Sequence, residues 1–412
     1  MQVMQQNVSA KRIAQRIEEL AACSTTERGV TRLSFTKESE MASELVSEWM
    51  REAGMTVRRD VLNNLIGRYE GTKPDAPALL IGSHLDSVVE AGKYDGILGV
   101  ISGIEVVQTL FEHHFRPSYP IEVIGFCDEE GTRFHTTLLG SRALSGDFRE
   151  QDLLAKDEKG ITLAAAMKEI GLEPSQYRLA ARDPHTVRGY IELHIEQGPV
   201  LEQEMQACGA VSGIAGASRY HFRVEGKAGH AGTVPITMRK DALVAASEMI
   251  LAIERIGQKY QNLVVTVGKL SVHPGASNVI PGVVEGTLDI RHIDNQVKEA
   301  ALTHIMEECQ GIWQRRGLVG EFCKIMESPA VSCSDKMINA IEAVLVENGM
   351  KPIQIVSGAG HDAMAVASIT DIGMIFVRCK DGVSHHPDEF VTMEDMGTGA
   401  SILLNVVLKL TT

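Results

Sequence analysis

The sequence predicts an α/β protein whose mostly parallel central sheet is interrupted by an inserted ferredoxin-like βαββαβ domain. Short apolar runs alternate with helical stretches in the first half of the chain, which is typical of parallel sheets. The pattern changes at 214–328 and returns to helices and a strand at 329–412. The 412 residues also exceed what one hydrophobic core usually supports. Two domains are therefore expected.

The first part of the chain, residues 1–213, carries the α/β pattern. Apolar residues at helical spacing predict helices at 9–22 and 38–54, and Gly54 is placed to end the second. The next predicted elements are a buried strand, a helix and another strand, at 76–86, 97–114 and 120–130. Both strands run directly into polar residues, and parallel sheets bind ligands beyond the carboxyl ends of their strands.

The segment 214–328 predicts a small domain of its own. Its elements follow the split βαββαβ order, which can fold as a unit. The predicted strands are 219–226, 262–272, 283–293 and 321–328, and the predicted helices are 241–257 and 297–317. A helix, a strand and a helix then follow, at 336–350, 372–378 and 393–410. The small domain is therefore predicted to be inserted into the first, which comprises 1–213 and 329–412.

Composition excludes several classes of protein. The 40 basic and 54 acidic residues give a net charge of −14, which disfavours nucleic acids and anionic membranes as partners. The seven cysteines form no CxxC pair, which argues against a disulfide framework and a thiolate zinc site, and favours a reducing, cytoplasmic location. No run of apolar residues is long enough for a membrane span, and the N-terminal stretch has no secretory h-region.

A first polar cluster follows the strand at 76–86. His84 and Asp86 are two residues apart, and Asp95 lies in a Gly-flanked loop shortly after. Residues i and i+2 of a strand share a side, so the Asp86 carboxylate is expected to accept one ring N–H of His84 while the other nitrogen binds metal. The alternative, for this cluster alone, is that Asp86 caps a turn and His84 is incidental.

Acidic residues follow the next strand, at Asp128, Glu129 and Glu130. Adjacent carboxylates repel one another unless a cation neutralises them. One of them can bind metal while another moves protons. The alternative is a solvated acidic turn.

Two further histidine clusters are weak signals on their own. His194 shares one side of a predicted strand with Glu192 and Glu196, where it is either a ligand or surface decoration. His385 and His386 precede a proline near the C-terminus. Adjacent residues of an extended segment point to opposite sides, so only one of the two is expected to be a ligand.

The inserted segment carries candidate anion-binding residues. His230, Asn278 and Arg291 lie in GHAGTVP, SNVIPG and LDIRH. Arginine forms two-pronged hydrogen bonds to carboxylates, and Asn and His can donate to the same anion. The alternative is a surface ion pair of Arg291 with Asp289 or Asp294. A glycine-rich loop at 357–364 is either a second anion site or a tight turn.

Taken together, these clusters indicate a metal site more specifically than any one of them does. Histidines and carboxylates without thiolates suit Zn²⁺, Mn²⁺ or Co²⁺. Five ligands spread over the chain are too many for one open site, but they suit two ions bridged by a carboxylate.

The motifs resemble, in order and over nearly the whole chain, those of the aminoacylase/carboxypeptidase-like two-metal amidohydrolases. They are GSHLDS, KYDG, DEEGTRF, ELHIEQGPVL, GHAGTVP, SNVIPG, SGAGHDAM and GVSHHP. HIEQGPVL and GHAGTVP match the carbamoyl-group branch of this family, which comprises allantoate amidohydrolases, N-carbamoyl-L-amino-acid hydrolases and β-ureidopropionases.

The resemblance implies a role for each matching residue. Two divalent ions are expected, manganese foremost and zinc or cobalt as alternatives, with Asp95 bridging them. The matching metal ligands are His84, Asp95, Glu130, His194 and His385. Glu129 matches the general base, and Asp86 the residue that orients His84. The matching substrate-binding positions are Gln197, Ser218, His230, Asn278, Arg291 and Gly360.

The resemblance also predicts the activity. The 1–213 and 329–412 segments form the catalytic domain, and 214–328 serves as lid and dimer surface, with His230 reaching the active site of the partner in a homodimer. The expected reaction is hydrolysis of allantoate to ureidoglycine, ammonia and carbon dioxide. The alternative is an N-carbamoyl-L-amino-acid hydrolase or a β-ureidopropionase. Ser218 stands where some bacterial allantoate enzymes have Arg, which questions that contact with the substrate carboxylate.

Overall fold

The chain divides into two units in the computed structural model, which describes residues 8–412. One unit comprises the chain up to Ser212 together with Cys333–Thr412, and the other comprises Gly213–Ser332. The boundaries predicted at 213/214 and 328/329 fall within a few residues of this division. Residues 1–7, which belong to the stretch predicted to lack a secretory signal, lie outside the described residues.

The two units contain both helices and strands, in the alternation that the sequence predicts. The α-helices are α1 (Ala10–Ala21), α2 (Lys37–Glu52), α3 (Ile97–Glu112), α4 (Leu139–Ser145), α5 (Leu163–Glu169), α6 (Val200–Gln203), α7 (Ala242–Gly257), α8 (Asn295–Arg316), α9 (Asp335–Glu347), α10 (Ala363–Val366) and α11 (Met393–Thr411). The strands of the first unit are β1 (Thr56–Arg59), β2 (Leu65–Tyr69), β3 (Ala78–His84), β4 (Ile121–Phe126), β5 (Val187–Ile195) and, extending two residues past its boundary, β6 (Cys208–Ile214). The remaining strands are β7 (Gly216–Glu225), β8 (Gly229–His230), β9 (Val264–Thr266), β10 (Leu270–His273), β11 (Val279–Ile280), β12 (Val283–His292), β13 (Val319–Ser328), β14 (Val331–Ser332), β15 (Gln354–Ser357) and β16 (Ile372–Val377).

The first unit is built on a mixed sheet with a parallel centre. The strand order is β1-β2-β4-β3-β5-β16-β6, and β15 also pairs with β6. The central pairs β4–β3, β3–β5 and β5–β16 are parallel, while β1, β2 and β6 pair antiparallel at the two sides. The predicted mostly parallel sheet is therefore confirmed.

Helix α3 is buried along almost its whole length, because it packs between the sheet and other helices. Residues Ile97 to Leu110 are all buried. The helix approaches β5 so closely that a Cβ added at Gly99 would collide with the carbonyl oxygen of Leu193. This glycine therefore sets the depth of the N-terminus of α3, directly after the loop that carries Asp95.

The second unit has the predicted ferredoxin-like arrangement. Its antiparallel sheet has the order β10-β12-β7-β13, with β9 also paired to β12. Helices α7 and α8 pack on one face, around a core that includes Phe222, Met249, Leu288 and Ile305. The single strand predicted at 262–272 was wrong. It is divided into β9 and β10, which pair with two different stretches of β12.

Candidate metal centre

Three central strands bring polar side chains to one edge of the sheet. His84 is the last residue of β3, and its partner across the parallel ladder is Phe126, the last residue of β4. Glu129 and Glu130 follow β4, while His194 is the penultimate residue of β5. Because carboxyl ends of parallel strands meet at one edge, residues far apart in the sequence become neighbours.

The carboxylate of Asp95 lies at the centre of this cluster. Its Oδ1 atom is 3.1 Å from Nε2 of His194 and 3.6 Å from Nε2 of His84. Its Oδ2 atom is 3.2 Å from Nε2 of His385. The two oxygens of one buried carboxylate therefore face different histidines, Oδ1 a pair and Oδ2 a single ring.

Glu130 completes the second group. Its Oε1 atom lies 3.3 Å from Nε2 of His385. The candidate ligand atoms of Asp95, Glu130 and His385 lie within 4.8 Å of one another, as do those of His84, Asp95 and His194. The neighbouring His386 has its ring beside Asp388 instead. Of the two adjacent histidines, the structure thus brings His385 into the cluster, as the sequence predicts.

These distances fit divalent cations. Tetrahedral ligands at ~2.1 Å from Zn²⁺ lie roughly 3.4 Å from one another, and the separations around Asp95 are 3.1 to 3.6 Å. Nitrogen and carboxylate oxygen donors suit Zn²⁺, Mn²⁺ and Co²⁺. A carboxylate that directs one oxygen to each group is the arrangement that a bridged pair of ions requires.

Main-chain carbonyls orient two of the histidine rings. Nδ1 of His84 lies 3.0 Å from the carbonyl oxygen of Asp86, and Nδ1 of His194 lies 2.9 Å from that of Ile195. With Nδ1–H donating to a carbonyl, each ring directs its Nε2 atom at Asp95. Such hydrogen bonds fix the tautomer and the orientation of metal-binding histidines.

The charges in the cluster shift the pKa values of its members. Burial lowers the pKa of His84, but the hydrogen bond to Asp95 and the charges of Glu129 and Asp86 outweigh burial, so the pKa lies well above 6.5. Hydrogen bonds to Asp95 and Glu130 raise the pKa of His385 to about 10. The protein thus concentrates negative charge here, which a cation would neutralise.

The predicted role of the Asp86 side chain was wrong. Its carboxylate oxygen Oδ1 is 3.9 Å from Nδ1 of His84, too far for a hydrogen bond, because the main-chain carbonyl of Asp86 takes that position. The two carboxylate oxygens instead accept the backbone N–H groups of Glu129 and Glu130, at 3.0 and 3.2 Å. Asp86 therefore orients His84 through its backbone and the acidic segment through its side chain.

Glu129 is placed as a buried acid or base beside the histidines. Its side chain is 9% exposed, and its Oε2 atom lies 3.9 Å from Nε2 of His84. Burial raises the pKa of Glu129 well above its usual value, and the charge of Glu130 adds to this effect. A carboxyl group with a raised pKa can exchange a proton near neutral pH.

A buried polar network supports His194 from behind. Oγ of Ser357 lies 2.7 Å from Nε2 of His361, whose ring contacts that of His194 with centroids 4.5 Å apart. Glu192, although close to His194, accepts hydrogen bonds from Ser83, Tyr190 and the backbone N–H of Ala363. The glycine-rich loop around His361 therefore packs against a candidate ligand.

Sequence reasoning missed Ser384 and Glu389, which lie beside Asp95. Oγ of Ser384 is 3.0 Å from Oδ2 of Asp95 and 2.9 Å from Oε2 of Glu389. Glu389 is buried within GVSHHPDEF, the motif that carries His385. An acid four residues after a candidate metal ligand resembles an ordinary surface residue, so the sequence offered no distinguishing signal.

Two predicted substrate-binding residues of the first unit lie in different surroundings. The amide of Gln197 donates to Oδ2 of Asp95 at 2.9 Å and to Oγ of Ser384 at 3.0 Å. Gln197 has φ 55°, so its strained backbone directs the side chain to Asp95. Gly360 leaves room beside Met364, whose Sδ atom would be 3.8 Å from an added Cβ.

In the second unit, His230 and Asn278 are neighbours. The strand β8 pairs with β11, where His230 is opposite Val279, and the N–H of Ala231 donates to the carbonyl oxygen of Asn278. Both predicted side chains are exposed. Both are therefore accessible to a ligand.

Arg291 and Ser218 lie on opposite faces of the second unit's main sheet. Arg291 is on the open face, where its Nε donates to Asp289 at 2.7 Å and Arg219 donates to the same carboxylate. Ser218 is fully buried on the helix-covered face, with its hydroxyl donating to Glu327. The sequence already questions a contact of Ser218 with the substrate carboxylate, and its buried position on the face opposite Arg291 does not favour one.

Comparisons with known proteins agree with the cluster. Residues 80–409 match the description Peptidase family M20/M25/M40. The chain belongs to this family. Its members are metal-dependent, in accord with the cluster of histidines and carboxylates.

Within the family the chain is similar to two kinds of hydrolase. It is 45% identical to the N-carbamoyl-L-amino acid amidohydrolase of Geobacillus stearothermophilus, covering 98% of this chain and 99% of that one. It is 38% identical to the allantoate deiminase of Arabidopsis thaliana, covering 94% and 80%. An amidase of the hydantoinase/carbamoylase family from Burkholderia multivorans has a TM-score of 0.93 at 34% identity, with 98% of each chain covered. This M20 chain is therefore a hydrolase of carbon–nitrogen bonds.

Within residues 8–412, no helix is both long and apolar enough to cross a bilayer.

Proposed function

We propose that this M20 hydrolase cleaves the ureido group of a small α-ureido carboxylate, using two divalent cations held around Asp95. The observation that carries the proposal is the division of the Asp95 carboxylate between two groups of ligands. The proposed ligands are His84, Asp95, Glu130, His194 and His385. Manganese is the expected ion, and zinc and cobalt suit the same donors.

When bound, the cations supply Lewis acidity and lower the pKa of water. The protein supplies proton transfer through Glu129, which accepts a proton from the attacking water and returns one to the leaving nitrogen. One water molecule and one ureido group yield the free amine, ammonia and carbon dioxide. His84 and Asp86 keep Glu129 in place and exclude solvent from one side, because all three are buried.

On the family resemblance, we further propose that Arg291, Asn278 and His230 bind the substrate carboxylate. Arg291 provides a planar donor set suited to a carboxylate, and Asp289 already orients its guanidinium. Asn278 and His230 offer further donors on their two-stranded sheet. Binding the carboxylate away from the scissile bond fixes the ureido carbon for attack.

Two substrates share this chemistry. Allantoate and N-carbamoyl-L-amino acids both carry a ureido nitrogen and a carboxylate on one carbon, and they differ in the third substituent. The motifs HAGTVP, ASNVIPG and SGAGHDAM favour allantoate. The identity of 45% to a carbamoylase, against 38% to an allantoate deiminase, favours N-carbamoyl-L-amino acids.

A substrate panel decides between them. The purified protein is stripped with a chelator and reloaded separately with Mn²⁺, Zn²⁺ or Co²⁺. It is then assayed for ammonia with allantoate, N-carbamoyl-L-amino acids and 3-ureidopropionate, and for free amino acids with dipeptides. We expect hydrolysis of the α-ureido carboxylates only after reloading. Ammonia release that survives thorough chelation, or cleavage of dipeptides alone, would contradict the proposal. Glu129→Gln, reloaded in parallel, controls for a contaminating hydrolase.

On the family resemblance, we also propose that His230 acts in the active site of a partner subunit. If so, a mixture of His230→Ala and Glu129→Gln chains would recover activity, because one site of each mixed dimer has both residues intact. Mixing under conditions of subunit exchange should restore up to a quarter of wild-type activity per chain. If a verified mixed dimer recovered no activity, His230 and Glu129 of one chain would have to act in the same site.

A further inference from the structure

We propose that Glu389 is a positioning residue that holds the Asp95 carboxylate between the two groups of metal ligands. This inference rests on the proposed metal site. Glu389 is only 3% exposed. Its Oε1 atom accepts the backbone N–H groups of Tyr94 and Asp95, at 3.0 and 3.1 Å. The backbone of the bridging residue is therefore anchored to a side chain almost three hundred residues further along the chain.

The second oxygen of Glu389 reaches the Asp95 side chain through Ser384. Oε2 lies 2.9 Å from Oγ of Ser384, which lies 3.0 Å from Oδ2 of Asp95. The serine hydroxyl has one hydrogen to donate, so its two carboxylate neighbours share it. The amide of Gln197 donates to both Ser384 and Asp95 Oδ2. Glu389 thus contacts the backbone of Asp95 directly and its carboxylate through one hydroxyl.

Glu389 also connects Asp95 with His385. Its own N–H donates to the carbonyl oxygen of His386, so the side chain emerges from the turn that carries His385. The opposing loop lies directly on it, because a Cβ added at Gly92 would collide with the Glu389 carboxylate. One side chain therefore fixes the spacing of two loops, each of which contributes a ligand.

The consequence of losing Glu389 follows from these contacts. In Glu389→Ala, two buried N–H groups lose their acceptor and Asp95 loses the constraint on its oxygens. Loss of a residue that orients a metal ligand typically weakens metal affinity 10–100-fold. Glu389→Gln keeps an acceptor for the two N–H groups, and its amide can donate to Ser384, so the loss should be smaller.

The experiment measures metal binding rather than turnover alone. Wild type, Glu389→Ala, Glu389→Gln and Ser384→Ala are stripped, and their affinity for Mn²⁺ and the number of ions bound are measured by calorimetry and elemental analysis. Glu122→Gln is the matched control, because Glu122 is an equally buried carboxylate whose partners are Arg68 and Arg182 rather than the cluster. Urea unfolding of each apo-protein separates lost stability from lost affinity.

We expect a loss of roughly 10–100-fold in affinity for Glu389→Ala, partial rescue by Glu389→Gln, an intermediate loss for Ser384→Ala, and wild-type affinity for Glu122→Gln. Equal affinities of Glu389→Ala and Glu122→Gln at equal stability would overturn the inference. Should Glu389→Ala not fold, wild-type affinity in both Glu389→Gln and Ser384→Ala would overturn it as well. Weakened metal binding in a protein that hydrolyses no ureido compound would instead refute the proposed substrate and leave the role of Glu389 standing.

Discussion

The Asp86 carboxylate accepts the backbone N–H of Glu129 at 3.0 Å. The contact joins the segment after β3 to the segment after β4, and the same carboxylate also takes the N–H of Glu130. The proposed base and a proposed metal ligand therefore share one anchor. That anchor is itself an anion, held by two N–H donors rather than by a cation.

Replacing Asp86 should disturb the base and the ligand together. Asp86→Asn can accept one N–H through its oxygen, but its NH₂ group then faces the second N–H. We expect activity to fall about 10–100-fold, as for other residues that orient a metal site, measured by steady-state kinetics at saturating Mn²⁺. Asp241→Asn is the control, because Asp241 accepts two backbone N–H groups at 3.0 and 3.2 Å at the start of α7. Equal activities of the two variants would refute the role of Asp86 as the anchor of Glu129 and Glu130.

Glu129 and Glu130 are adjacent, yet their substitution should have different effects. Glu129→Gln removes the proposed proton carrier, so kcat should fall by roughly 10²–10⁴ while both ions remain bound. Glu130→Gln removes a ligand, so the protein should bind one ion fewer, and excess Mn²⁺ should restore part of its activity. Elemental analysis and kcat on the same samples check both. The assignment fails if Glu129→Gln turns over at the wild-type rate or loses metal.

The sequence predicted the centre of the fold well. The central strands β3, β4 and β16 are mostly apolar runs, and the helices α2, α3 and α11 begin and end within two residues of expectation. Strands β1, β2 and β6 lie at the sides of the sheet and are short or only partly apolar, which gives weaker signals. The break between β9 and β10 depends on pairing with β12, which local pattern does not encode.

The candidate site, like the fold, could be predicted from the sequence only in part. The candidate ligands His84, Glu130 and His194 lie at or shortly after strand ends, so their residue types and positions predicted this part of the cluster. The contacts of Asp86 could not be predicted, because a spacing of two residues does not distinguish a side-chain acceptor from a main-chain one. The burial of Ser218 could not be predicted, because its strand register, opposite Ile290 and Glu327, decides which face it occupies. Glu389 gave no local signal, since Tyr94 and Asp95, whose N–H groups it accepts, lie almost three hundred residues away.

Glu122 supplies a test of stability that is independent of the metal cluster. This buried carboxylate of β4 pairs with Arg182 and Arg68 at 2.9 and 2.8 Å. Burial raises the pKa of Glu122, but the hydrogen bonds and charges of Arg182 and Arg68 outweigh it and hold the pKa below 4.5. Because the folded-state pKa is depressed, its contribution to stability is present above the unfolded pKa and is lost as pH falls through the folded one.

Glu122→Gln should therefore lower the free energy of unfolding by about 1–3 kcal/mol near neutral pH. The difference from wild type should shrink as pH falls below 4.5, since the wild-type carboxylate then loses its charge too. Urea unfolding of the apo-proteins across this range measures it. Glu70→Gln is the control, because that Glu pairs with the same Arg68 but is 58% exposed, and exposed pairs contribute little. A difference that does not change with pH would show that the charge of Glu122 is irrelevant.

The adjacent histidines His385 and His386 allow a test of the second ion site. Nε2 of His385 is 3.2 Å from Asp95 and 3.3 Å from Glu130, whereas the ring of His386 lies beside Asp388. The two rings have similar exposure, at 50% and 47%, so the same substitution removes a comparable surface in each. We expect His385→Ala to bind one ion fewer, with activity reduced at least 10-fold. His386→Ala should keep both ions.

Stoichiometry distinguishes this prediction from a general loss of structure. Both variants are loaded with Mn²⁺ and freed of excess ion, and the bound metal is counted against protein concentration, with thermal unfolding recorded on the same samples. His385→Ala should retain the ion held by His84 and His194, because those rings are oriented by main-chain carbonyls that the substitution does not touch. If His385→Ala kept two ions, or if His386→Ala lost one, the second site would have to be assigned to other side chains.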